Sequence, residues 1–91
     1  MTTKFRHKPT EIIEAWQWLG QVEDEWPPWL YAYSHDGRGV GIEHTKQQLL
    51  IPTWEGIMIA KLNSWVVKGT HGELYPVKPE IFADTYEPVE P

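Results

Sequence analysis

The chain has 91 residues, no cysteine, eight basic against thirteen acidic side chains and a formal charge of −5. A chain of this length buries roughly 60 to 70% of its unfolded surface, so one domain over residues 1–91 is expected, with 87–91 as a frayed tail. Without thiols, disulfides, Cys-ligated zinc and a thiol nucleophile are excluded, and the acidic balance speaks against duplex nucleic acid or an anionic membrane as a partner.

The first residues, MTTKFRHKPTE, hold no apolar run of the kind that leads a signal peptide, and no stretch approaches a membrane span. A cytosolic protein is expected. From Ile12 to Trp18 the residues alternate and are rich in β-branched and aromatic types, which predicts a strand. Ile13 and Ala15 fall on one face; Ile12, Glu14, Trp16 and Trp18 fall on the other. After the acidic run Glu23 to Glu25, Trp26-Pro27-Pro28 predicts a short helix from Pro28 to Ser34, because Pro pre-sets the first helical φ. Trp29, Leu30 and Tyr33 give it a one-sided apolar spacing, and it should stop near Gly37.

Strands and turns follow. Val40 to His44, Gln48 to Trp54 and Ile57 to Leu62 read as extended, with Glu55-Gly56 as the turn between the last two. Asn63-Ser64 turns the chain again. Trp65 to Lys68 and Glu73 to Val77 flank Gly69-Thr70-His71-Gly72, where two glycines can supply the positive φ of a hairpin loop. Pro76 lacks an N–H, so its strand belongs at a sheet edge. Pro79 opens a second short helix with Ile81, Phe82, Thr85 and Tyr86 along one side, ended by Pro88. The fold class is therefore α+β: a small antiparallel sheet or partial barrel with two short helices.

Two segments carry a resemblance. Lys4-Phe5-Arg6-His7-Lys8-Pro9 leading into Ile13-Glu14-Ala15-Trp16-Gln17-Trp18, and WVVKGTHGELYPVKPEIFADTYE from Trp65 to Glu87, resemble a family of small phage and prophage proteins. That family has an FRxKP…IEAxQW start and a WxxKGxxGExYPxKPxIFxxTYE end. Where many of its members have a Gly-Asp turn, this chain has Asn63-Ser64, so any role resting on that Asp does not carry over. The family is similar in turn to anti-CBASS sponges, which sequester the cyclic nucleotide signals of bacterial anti-phage defence. The resemblance implies a host-cell cytosolic protein that binds a cyclic nucleotide without cleaving it.

The residues offer their own candidates. Lys68, Gly69, Tyr75 and Lys78 are the anion-binding set: glycine lets backbone N–H groups approach a phosphate, two lysines bring charge, and Tyr75 brings a ring. The plain alternative is a hairpin with solvated lysines. Arg6 and Lys8 form a small basic arm that either reaches a phosphate or is simply solvated. Trp16, Trp18 and Trp54 are candidate stacking platforms, and equally candidates for core or subunit interface. Because Trp16 and Trp18 share a strand face, at least one of them is expected at a rim.

His7, His35, His44 and His71 show no ligand spacing, so no metal site is expected. There is no nucleophile elbow, P-loop or zincin motif; no catalytic residue and no cofactor is assigned, although carboxylate pairs formed in space would be invisible here. Six Trp, four Tyr and two Phe exceed what one small core hides, which points to a homo-oligomer, dimer or tetramer. Three functions compete. One is sequestration of a small anionic ligand, a cyclic nucleotide; a second is a structural or accessory phage protein, or an adaptor that binds protein through its aromatic surface. The third is a small hydrolase that cleaves the same signal, kept only because carboxylate pairs are invisible in sequence.

Overall fold

The computed structural model describes residues 3–7 and 11–89. Its elements in chain order are β1 (Thr3–His7), β2 (Glu11–Gln17), α1 (Pro28–Tyr33), β3 (Gly41–Glu43), β4 (Gln48–Thr53), β5 (Gly56–Ala60), β6 (Trp65–Lys68), β7 (Leu74–Val77), α2 (Pro79–Thr85) and β8 (Tyr86–Pro88). The strands form two antiparallel sheets, one ordered β7-β6-β2-β1-β8 and one ordered β3-β4-β5. This is the expected α+β class. No helix among the described residues is long and apolar enough to cross a membrane.

Strand β2 explains the layering. Its alternation feeds two separate cores, one on each face of the larger sheet. Trp16 and Trp18 pack with Trp26, Leu30, Leu49, Ile51, Ala60, Val66 and Leu74, under the smaller sheet and α1. Ile13 and Ala15 pack with Val67, Phe82 and Tyr86, under α2. The larger sheet is therefore the middle of three layers. A rim position for Trp16 or Trp18 is not what results: they are 2% and 1% exposed. The physical reason is that β2 is covered on both faces, so neither Trp has an open side.

The helices follow their prolines. Pro28 stands at the start of α1, whose Leu30 is buried. The chain then widens into one broad helical turn, Ser34–Arg38. Gly39, at φ 64°, closes it, its N–H meeting the Ser34 carbonyl at 3.0 Å. The stop thus falls two residues beyond Gly37. Pro79 starts α2, but the helix ends at Thr85, and Tyr86–Pro88 runs extended beside β1 in the register Phe5↔Pro88, Arg6↔Glu87, His7↔Tyr86. Two expectations are corrected here: Tyr86 is a strand residue, and Glu87 and Pro88 belong to the sheet instead of a frayed tail. Pairing to the outer edge of β1 offers backbone hydrogen bonds that a further helical turn, blocked by Pro88, does not.

The edges behave as proline predicts. β7, which carries Pro76, is one outer strand of the larger sheet, and β8, which carries Pro88, is the other. The turn joining β5 to β6 places Asn63 at φ 77°, a left-handed conformation that Asn tolerates better than most residues. Asn63 and Ser64 then tie back to Trp18 through backbone bonds of 2.8 and 2.9 Å, which prolong the β2–β6 ladder.

Candidate functional site

The β4–β5 connection is a two-residue turn, Trp54-Glu55, closed by the pair Thr53↔Gly56. Thr53 staples it: its hydroxyl donates to the Gly56 carbonyl at 2.7 Å and accepts from the Glu55 N–H at 3.2 Å. Gly56, at φ 111°, supplies a conformation that a side chain would resist. Trp54 is thereby held on a fixed turn with its ring in solvent, 97% exposed.

Trp54 stands at one end of a groove. This groove, about 340 Å³, is bounded by Tyr33 of α1, the end of β4 and the segment His71 to Leu74. A second, shallower depression shares Tyr33 and Gly72 with it and is otherwise bounded by Trp29, Ala32, His35, Asp36 and Lys68. Tyr33 fixes the geometry, because its hydroxyl donates to the Pro52 carbonyl and so ties α1 to the strand that carries the turn. The indole N–H groups of Trp16, Trp26 and Trp29 are all buried with no acceptor among the described residues.

The hairpin between β6 and β7 has a different interior from the phosphate cradle expected of it. Gly69 N–H donates to the Glu73 carbonyl at 2.8 Å, and Gly72 N–H to the Gly69 carbonyl at 3.1 Å. The His71 N–H donates to the Glu73 carboxylate at 2.9 Å. A carboxylate of the chain itself therefore fills the anion position. Gly69 leaves room for it: a Cβ there would lie 2.4 to 2.7 Å from the Glu73 carboxyl atoms, so the carboxylate would have to swing aside. Gly72, at φ 82°, is the residue that needs glycine for its conformation.

The remaining candidates scatter. Lys68 borders the shallower depression and lies 3.8 Å from Glu14, each side chain a little over a third exposed. Tyr75 faces the other layer: it packs against the α2 cluster, and its hydroxyl is 3.2 Å from that of Tyr86. Lys78 is exposed and follows the far end of β7, about 13 Å of strand from the hairpin loop. Arg6 is placed only by its backbone, opposite Ile12 and Glu87. Lys8 lies outside the described residues. Trp16 and Trp18 are core, their ring centroids 6.0 Å apart, with the Trp18 indole N–H donating to the Gln47 carbonyl at 2.7 Å.

Of the nine candidates, then, Trp54 borders the groove, Lys68 borders the depression that adjoins it, and Gly69 shapes the loop nearby. Tyr33, His71 and Glu73 join the lining from outside the nine, His71 and Glu73 as members of the hairpin that the sequence marks for anion binding. Tyr33 had a legible signal in its one-sided spacing with Trp29; Glu73, directly after the loop glycine, had none that separates it from a solvated edge carboxylate. Among the described residues no three His, Asp or Glu side chains gather to hold a metal ion. No known protein family, curated protein or solved structure matches the chain.

Proposed function

We propose that this protein is a binding protein that sequesters a nucleotide in the groove between α1, the β4–β5 turn and the β6–β7 hairpin. The ligand class is the cyclic nucleotide signal of bacterial anti-phage defence, bound in the host cytosol and released intact. One observation supports the reading: an almost fully exposed Trp54, on a stapled turn, at the mouth of a groove whose adjoining depression has Lys68 on its border. A base stacked on an indole gains about 1 to 3 kcal/mol, and a lysine at phosphate range adds a charge-assisted bond. Tyr33 and His71 line the same groove as Trp54.

The acidic neighbours shape the selectivity. Glu73 borders the groove and Asp36 the depression that adjoins it, so a ligand with phosphates spread along its length is disfavoured relative to one that presents a phosphate at Lys68 and a ring at Trp54. Lys68 must exchange Glu14 for that phosphate. Such an exposed ion pair is worth about 0 to 1 kcal/mol, so the exchange is cheap.

Incubation with a panel of cyclic nucleotides, followed by heating, tests the function. Depletion with recovery of intact nucleotide is the expected outcome. Cleaved nucleotide would make the protein a hydrolase, and no depletion would leave the adaptor reading. That second reading has its own observation, the run of exposed apolar side chains Ile57, Met58 and Ile59 on β5.

A further inference from the structure

The molecule has four strand edges among its described residues, and three are blunted in the ways that proteins use to prevent edge pairing. β7 carries Pro76 and β8 carries Pro88. β3 is three residues long and includes Glu43. The fourth, β5, reads Gly-Ile-Met-Ile-Ala, five residues with no charge and no proline, and it ends the smaller sheet. Ile57 is 68%, Met58 36% and Ile59 50% exposed.

Register fixes which backbone groups this edge offers. β4 and β5 pair as Leu49↔Ala60, Leu50↔Ile59, Ile51↔Met58, Pro52↔Ile57 and Thr53↔Gly56. Pro52 has no N–H, so Pro52↔Ile57 is a non-hydrogen-bonded pair, and by alternation Met58 exchanges its bonds with Ile51. Ile57 and Ile59 then aim their N–H and C=O groups away from β4, where no further strand of the sheet pairs with them.

We infer that β5 pairs with the β5 of a second copy of this chain, antiparallel about a two-fold axis through Met58. In that register Ile57 meets Ile59 of the other copy and Ile59 meets its Ile57, so the outward groups make four reciprocal hydrogen bonds. The flanking residues fit the same axis: Glu55, three positions before Met58, falls beside Lys61, three positions after it, and the reverse contact repeats the pair. Opposite charges meet at both ends, with uncharged residues between. The two three-stranded sheets become one of six. The contact is small, at the low end of specific interfaces, so the dimer is expected to dissociate in the micromolar range. It leaves the nucleotide groove to each protomer and does not rest on the proposed function.

The absence of cysteine makes a direct test available. At a non-hydrogen-bonded two-fold pair the Cα atoms are about 4.5 Å apart, within disulfide range. Met58→Cys should form a disulfide-linked dimer under mild oxidation, whereas Ile12→Cys, exposed on the larger sheet, should not. Sedimentation of the unmodified protein up to about 1 mM should show a concentration-dependent dimer. Glu55→Lys should weaken it roughly 5- to 30-fold by placing like charges at both ends, and Glu55→Lys with Lys61→Glu should restore it. A monomer at every concentration, a dimer indifferent to Glu55→Lys, or equal cross-linking at Ile12→Cys and Met58→Cys would each overturn the inference. Circular dichroism of each variant identifies any that fails to fold; the unmodified protein's sedimentation decides the question without them.

Discussion

Trp16 and Trp54 are the same residue type with opposite consequences, and burial alone separates them. Removing a ring from the core around Trp16 or Trp18 should cost about 3 to 5 kcal/mol, a large part of the 5 to 15 kcal/mol that holds a domain together, so Trp16→Ala and Trp18→Ala should be poorly folded by thermal melting. Trp54→Ala, removing a ring that is 97% exposed, should shift stability by less than about 0.5 kcal/mol. The hairpin offers a second residue-scale test. Gly69→Ala should cost about 1 kcal/mol by displacing the Glu73 carboxylate from the His71 N–H. The same substitution in a Glu73→Ala background should cost almost nothing, because the displaced group is already gone. Equal losses in both backgrounds would mean that Gly69 serves the backbone and not the carboxylate. Sequence could not reveal this role: two glycines around a loop look alike, and only the position of Glu73 tells room from conformation.

Among the elements, most strands were readable because alternation and turn residues agree locally. Trp65–Lys68 is the strand that the spacing predicts, and Pro76 marks an edge as it should. The misreadings fall where a distant partner decides. Tyr86 fits the helical spacing after Phe82, yet its backbone pairs with β1 while its ring still stacks on Phe82 at 4.9 Å. One side-chain position satisfies both patterns, and only the open edge of β1 chooses between them. The β5–β6 turn gives the test at this scale. Asn63→Gly should be tolerated within about 0.5 kcal/mol, while Asn63→Val should lose about 1 to 2 kcal/mol in thermal unfolding, because φ 77° brings a β-branched side chain against its own carbonyl.

Three layers built from 91 residues leave little interior, and the burial of both faces of β2 uses much of it. That arrangement explains why the α+β class was legible in the sequence while the candidate site was only partly so. Period-2 alternation says which residues share a face; it does not say whether that face meets solvent or a second sheet. Trp16 and Trp18 were thus drawn into the candidate site by a pattern that a covered strand also produces, and Trp54 lies at a turn, where no periodicity exists to place it. The groove joins α1, the β4–β5 turn and the β6–β7 hairpin, three segments that the chain's order keeps apart and the layering brings together. The most direct test of the nucleotide-binding account is an equilibrium titration of the unmodified protein, Trp54→Phe and Trp54→Ala with the cyclic nucleotide that the panel selects. The account predicts tight binding by the unmodified protein, partial affinity for Trp54→Phe and a loss of about tenfold or more for Trp54→Ala, with all three melting alike. Binding by Trp54→Ala as tight as that of the unmodified protein would contradict it.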